Sequence, residues 1–307
     1  MRTKRRKKQS SGYLGVMFLF LFAATVVFAV QGLDIKRLTG RETGVNREEN
    51  ADPEDREGNN KKDSVGAVAG MPEDENRKSD DKEADGASGA EEMVATFAQS
   101  HNLQLNEWPT EMLELLLANP DATEFVLNYP LKKNEMFTID LSGYRGCKSV
   151  PLLFQWDERW GYTQYGDNVM GLTGCGPTCL SMVCIYLLED TKYDPKYIAE
   201  FSVANGYCVP GSGSAWTLIS RGGEKLGLDV IEIPLDEHRI IRNLEVGNPI
   251  ICIMGPGDFT TTGHFIVMTE YVDGKIKVND PNSKVRSEML WEFEDIKDQI
   301  RNLWVCR

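Results

Sequence analysis

The sequence predicts an α+β domain in which helices come first and a mostly antiparallel sheet follows. Three observations predict it. After Cys175, residues Leu180, Val183, Cys184, Leu187 and Leu188 fall at i, i+3, i+4, i+7 and i+8, the spacing of one helical face. From Val230 onward, short apolar runs such as Ile250-Ile251-Cys252-Ile253-Met254 and Phe265-Ile266-Val267 take over, as expected of buried strands. Asp273-Gly274 stands between two of these runs and reads as a hairpin turn.

Within residues 146–307 the elements follow in order. Val150 to Phe154 reads as an apolar strand leading to Gln155. A helix opens at Cys175, with Gly176 and Pro177 suited to its first positions. A second helix spans Ser214 to Leu226, with Gly227 as its cap. Val230 to Ile233 is a strand, and Arg239 to Val246 a helix stopped by Gly247. Pro249 to Met254, Phe265 to Tyr271 and Lys275 to Asp280 complete the sheet.

The preceding residues divide into three. Residues 1–32 begin with Arg2, Lys4, Arg5, Arg6, Lys7 and Lys8 and continue into an uncharged apolar run, Tyr13 to Val30. About 18 apolar residues is the lower limit for a membrane-crossing helix. Phe28-Ala29-Val30-Gln31 is a poor cleavage site, which favours an uncleaved anchor over a cleaved signal peptide and a secreted form. The basic end would stay in the cytoplasm and the rest would lie outside. Residues 33–90 are rich in Glu, Asp, Asn, Lys, Gly and Ser, and are expected to be a disordered acidic spacer. Residues 91–145 read as a helical lead-in, in which Met93, Phe97, Met112, Leu113, Leu115, Leu116 and Leu117 suggest short helices. Pro109 can begin one helix, and Thr123 with Glu124 supplies capping material for another.

A net charge of −13 argues against a nucleic-acid partner. The seven cysteines are odd in number and irregular in spacing. Cys184 and Cys252 lie in apolar runs and read as buried fillers, and Cys147 could pair with Cys306 or Cys208. The odd count is compatible with one thiol kept free.

Cys175, in Thr173-Gly174-Cys175-Gly176-Pro177-Thr178-Cys179, is the candidate for that thiol. At a helix N-terminus it sits among unpaired N–H groups and at the positive end of the helix dipole, so its thiolate is favoured. Such a nucleophile needs a base, and the chain has three histidines. His101 lies in the polar lead-in and His238 in a charged helix start. His264 lies between the Gly255 to Thr260 loop and an apolar strand, and is the candidate base. The third member depends on register. A two-residue loop at Asp273-Gly274 would put Asn279 on the His264 face, and a three-residue loop with a glycine bulge would put Asp280 there. Lys275, Lys277 and Asn279 share one face, which should meet water, while Ile276, Val278 and Asp280 point inward, which favours Asp280. Gln155 is a candidate oxyanion donor together with the Cys175 backbone N–H. Cys179 reads as a core filler, with a metal site or a disulfide to Cys175 as its other readings. The glycine-rich stretch Asn205 to Trp216 could line a groove beside Cys175, with Trp216 either in that groove or in the core.

The ordered set Gln155-Trp156-Asp157-x-x-Trp160, Gly174-Cys175-Gly176-Pro177-Thr178, Gly263-His264-Phe265 and Asn279-Asp280-Pro281 resembles the double-glycine (bacteriocin-leader) peptidase-like group of papain-like cysteine peptidases. The resemblance covers Val150 to Arg307. It implies a papain-like fold with Cys175 as nucleophile, His264 as base, Asp280 as orienting carboxylate and Gln155 as oxyanion donor. It also implies a peptide or protein substrate and no metal or organic cofactor. Well-known members are fused to peptide-exporting transporters. This chain carries no Gly-x-x-x-x-Gly-Lys-Ser/Thr phosphate loop, so no transporter ATPase is expected in it. Thiol acyl transfer, as in transglutaminases, and a catalytically silent peptide-binding module are the alternative readings.

Overall fold

The computed structural model describes residues 77–307. The apolar segment Tyr13 to Val30 and residues 33–76 of the expected spacer lie outside the described residues. Among the described residues, no helix is long and apolar enough to cross a membrane.

The lead-in consists of α1 (Arg77–His101), α2 (Thr110–Ala118) and α3 (Thr123–Lys132). The helix α1 begins inside the stretch expected to be disordered, and it replaces the first of the expected short helices with one long one. Lys, Glu and Ala are good helix formers, and the helix has something to bury at its far end. Val94 and Ala98 join Trp108, Met112, Leu115, Leu116, Phe125 and Val126 in one apolar cluster. That cluster also contains Tyr162 and Val169, so the lead-in shares a core with the domain that follows. Pro109 stands at the N-cap of α2. Thr123 does not cap α3, because its hydroxyl donates to the Pro120 carbonyl at 2.6 Å.

The main domain continues with α4 (Glu158–Gly161), the hairpin β1 (Gln164–Tyr165) and β2 (Asn168–Val169), then α5 (Met170–Thr173), α6 (Cys175–Leu188) and α7 (Pro195–Ala204). A second small hairpin, β3 (Cys208–Val209) and β4 (Gly213–Ser214), leads into a π-turn, Leu218–Gly222, and α8 (Gly223–Leu226). The expected Ser214 to Leu226 helix therefore starts late and widened, though Gly227 ends it in the left-handed region at φ 106°. The remainder runs β5 (Val230–Ile233), α9 (Glu237–Glu245), β6 (Ile250–Met254), β7 (His264–Val272), β8 (Lys275–Asn279), α10 (Lys284–Glu288), β9 (Leu290–Trp291), α11 (Phe293–Ile296) and β10 (Ile300–Cys306).

Six of these strands form one antiparallel sheet in the order β5-β10-β6-β7-β8-β9. Ile251, Ile253, Phe265, Val267 and Trp304 pack on the α6 side. Ile250, Cys252, Ile266 and Met268 pack on the other side with Ile240 and Leu244 of α9. The segment Val150 to Phe154 forms no strand, contrary to expectation. The helix α6 is buried on all sides from Gly176 to Ile185, rather than along one stripe, because β7 contacts it together with α7 and α8.

The β7–β8 hairpin settles the register by a route the sequence did not suggest. Val272 pairs with Lys275, so the loop is Asp273-Gly274 alone. Both residues have positive φ, 52° and 81°, as a type I′ turn requires. Unbroken, that register would place Asn279 on the His264 face. Between Met268, which pairs with Val278, and Glu270, which pairs with Lys277, the extra residue Thr269 forms a bulge. The bulge shifts the pairing by one and brings Asp280 to His264. Asn279 does not meet water. It is buried, and its amide donates to the Val150 and Pro151 carbonyls, each at 3.1 Å.

All seven cysteines are free thiols, so neither Cys147–Cys306 nor Cys147–Cys208 is formed. Cys306 is buried inside β10.

Candidate active site

Two glycines shape the start of α6. A Cβ on Gly174 would lie 2.5 Å from the Met170 carbonyl oxygen, and one on Gly176 would lie 2.6 Å from the Ser214 hydroxyl. Residues flanking Cys175 must therefore be minimal for α5 and the β3–β4 hairpin to close on the helix end. Thr178 uses both its N–H and its hydroxyl on the Gly174 carbonyl, at 3.0 and 2.8 Å. The Gly176 N–H is left to face the Cys175 sulfur, joined there by the Phe265 N–H.

The strand β7 begins at His264, which is 7 % exposed. Its Nε2 hydrogen-bonds Asp280 Oδ1 at 2.7 Å, which leaves Nδ1 for the neighbouring Cys175 thiol. Asp280 is fully buried. Its Oδ1 also accepts the Asn282 N–H at 2.7 Å, and its Oδ2 accepts Arg286 Nε at 2.5 Å.

The three groups shift one another. Burial pushes the Cys175 thiol up, but the hydrogen bond and charge of His264 and the N–H groups of Phe265 and Gly176 outweigh it, leaving the thiol below its ordinary value. Burial pulls His264 down, but the Asp280 charge and hydrogen bond, with Cys175 behind them, push it up to about 10. Burial raises Asp280, and His264 and Arg286 more than reverse this. Both shifts act in the direction of a thiolate beside an imidazolium, and the two groups titrate as a pair.

Gln155 is buried, and its backbone N–H donates to the Pro281 carbonyl at 2.8 Å, tying it to the Asp280 loop. Its side-chain amide donates one hydrogen to the Gly171 carbonyl at 2.9 Å, which leaves the second N–H uncommitted. Its Oε1 has no hydrogen-bond partner.

Residues 147–305, just over half of the chain, match the family described as Peptidase_C39 like. The chain belongs to the Peptidase_C39-like family. No curated protein matches it. Among solved structures it is similar to the peptidase domain of Streptococcus ComA, a bi-functional ABC transporter involved in a quorum-sensing pathway. Identity is 17%, the TM-score 0.37, and the match covers 51% of this chain and 96% of that one. It is also similar to a protein described as a C39-like peptidase from Bacillus anthracis, at 13% identity and a TM-score of 0.35, over 52% of this chain and 94% of that one.

The C39-like domain brings Cys175, His264 and Asp280 together and keeps the other histidines away. His101 is exposed and stacked on Phe97, and His238 is exposed on α9. Cys179, one turn beyond Cys175, is fully buried. Burial first, then the negative charges of Cys175 and Asp280, push its thiol well up, which keeps it protonated and inert. Among the described residues, no cluster of three or more His, Cys, Asp or Glu side chains is placed to hold a metal. The stretch Asn205 to Trp216 does reach the site. Ser214 abuts Gly176 and hydrogen-bonds Tyr165 at 2.6 Å. Trp216 is 47 % exposed and meets Trp304 edge-on at 5.9 Å. Trp304 in turn lies against Phe265, the neighbour of His264.

Sequence reasoning missed Arg286 and Ser287. The Ser283 hydroxyl caps α10 by accepting the Arg286 N–H at 3.2 Å, and this folds Arg286 back onto Asp280. Ser287 Oγ accepts the Asp280 N–H at 2.9 Å and donates to the Ser283 carbonyl at 2.7 Å. A serine three residues before a basic residue, just after Asp-Pro, was the available signal.

Proposed function

We propose that this chain is a thiol hydrolase of peptide or amide bonds, with Cys175 as nucleophile, His264 as acid and base, Asp280 as orienting carboxylate and Gln155 as oxyanion donor. The line of Cys175, His264 and Asp280 carries this reading, with His264 hydrogen-bonded to Asp280, the thiol lowered and the imidazole raised along it. The Cys175 thiolate attacks the substrate carbonyl carbon, and the oxygen takes the negative charge under the free Gln155 N–H and the Cys175 N–H. When the carbonyl reforms, the carbon–nitrogen bond breaks and the imidazolium gives its proton to the departing amine. Water then attacks the thioester, His264 takes its proton, and the acid and thiolate separate. In the same proposal, Tyr13 to Val30 anchors the chain in the membrane and the domain acts outside the cytoplasm.

The test is iodoacetamide labelling read residue by residue in the full chain, with product analysis on peptides. Cys175 should react faster than Cys184, and His264→Ala should lower hydrolysis by about 10²- to 10⁴-fold. Equal labelling of Cys175 and Cys184, or labelling indifferent to His264, would overturn the enzymatic reading. Accumulation of amide product with an added amine, in place of hydrolysis, would make it an acyltransferase. Protection of residues 150–307 from protease in intact cells would exclude the external location.

A further inference from the structure

Resting on the proposed chemistry, we infer that Arg286 is a positioning residue whose charge offsets that of Asp280, so that the buried site as a whole carries no net charge. Three observations support it. The Arg286 guanidinium contacts the carboxylate oxygen that His264 does not use, at 2.5 Å, while His264 holds the other at 2.7 Å. Asp280 is fully buried and the Arg286 side chain only 25 % exposed, so solvent screens this pair weakly. The arginine is held there by its own short helix, through the Ser283 cap and the Ser287 bonds to both Asp280 and Ser283.

The charges alternate along one line: thiolate, imidazolium, carboxylate, guanidinium. Their sum is zero. The groups facing this line are Cys175 and Cys179 on α6, His264 on β7, Asp280 after β8, and Arg286 on α10. Tyr165 on β1 faces Cys175, and Cys252 on β6 stands behind Cys179. Tyr165, Cys179 and Cys252 are all pushed up by burial and stay neutral. Without the guanidinium the buried site would carry one net negative charge. That charge would oppose ionisation of Cys175 and favour keeping the proton on His264, so both would hold their protons to higher pH.

The experiment is the pH profile of Cys175 alkylation by iodoacetamide in the full chain, for wild type, Arg286→Gln and Arg286→Lys. It needs no substrate. Arg286→Gln is expected to move the acid limb up by about one pH unit, a roughly tenfold slower reaction on the acid side. Arg286→Lys, which keeps the charge, is expected to restore the wild-type limb. If Arg286→Gln does not fold, Asp280→Asn combined with Arg286→Gln replaces it. This pair leaves the site neutral, so its limb should stay at the wild-type position while Asp280→Asn alone moves it down. A folded Arg286→Gln variant with an unmoved limb overturns the inference, as does an Arg286→Lys variant that behaves like Arg286→Gln. A wild-type Cys175 with an ordinary thiol profile would instead overturn the proposed function, so the two failures are told apart.

Discussion

His264 touches both of its partners, and the protonation of each depends on the other. This gives the stability of the domain an unusual dependence on pH. A histidine raised from 6.5 to about 10 contributes fully below 6.5, and its contribution is lost as pH rises through 10. A thiol lowered from 9.0 contributes above 9.0, and its contribution is lost as pH falls through its lowered value. Between 6.5 and 9.0 the extra native proton on His264 makes stability fall as pH rises, and the proton lost from Cys175 opposes that slope over the range in which the thiol is ionised only in the native state. Urea unfolding of the wild type should therefore vary less with pH in that window than that of Cys175→Ser. Cys175→Ser should uncover the histidine alone, and its stability should fall as pH rises, by up to about 1.4 kcal/mol per pH unit. The same pH dependence in both proteins would show that the pair is not ionised. At this scale much of the site was legible. A chain with three histidines offers few bases, and only one stood beside an apolar strand. Arg286 was legible only as far as its cap, since Ser283 marks a helix start but nothing in Lys284-Val285-Arg286 says that the chain doubles back onto Asp280.

The strand pair β7–β8 shows why a correct expectation can rest on the wrong cause. The Asp273-Gly274 turn was readable because only a few residue pairs tolerate positive φ at both positions. The inward aim of Asp280 was readable from Ile276 and Val278. The bulge was not, because Thr269 sits in a continuous strand-forming run with no glycine to mark it. Its place follows from burial. The strand is buried through Thr269 and partly exposed from Glu270 onward. Deleting Thr269 should remove the bulge and leave Met268 opposite Val278, so that Asp280 keeps its place on the His264 face. The expected result is a folded protein by circular dichroism whose Cys175 alkylation at pH 6 stays close to that of the wild type. A fall of about tenfold or more would mean that the contact depends on the bulge geometry and not on the register alone. A similar limit applies to α1, whose charged, alanine-containing first half has the composition of a spacer but lies on a helix that buries Val94 and Ala98.

Across the whole described molecule, the family match begins at residue 147, but the structural support of the site begins earlier. Asn119, at the end of α2, donates its amide to the Asn282 carbonyl in the Asp280 loop, which Trp156 also reaches at 3.2 Å. The Phe125 ring from α3 lies where a Cβ on Gly161 or Gly171 would have to go, at 2.7 and 2.2 Å, and Gly171 supplies the carbonyl that holds Gln155. Phe125→Ala should cost about 3–5 kcal/mol. Asn119→Ala should lower the hydrolysis rate and slow Cys175 alkylation while changing the unfolding temperature little. Full activity in Asn119→Ala would show that the lead-in is only attached to the domain. The plugged glycines have a further consequence. Through the Phe125 ring and the Asn119 amide, a helical segment that lies wholly before residue 147 therefore forms part of the wall and the floor of the Gln155 and Asp280 loops, while adding no strand to the six-stranded sheet.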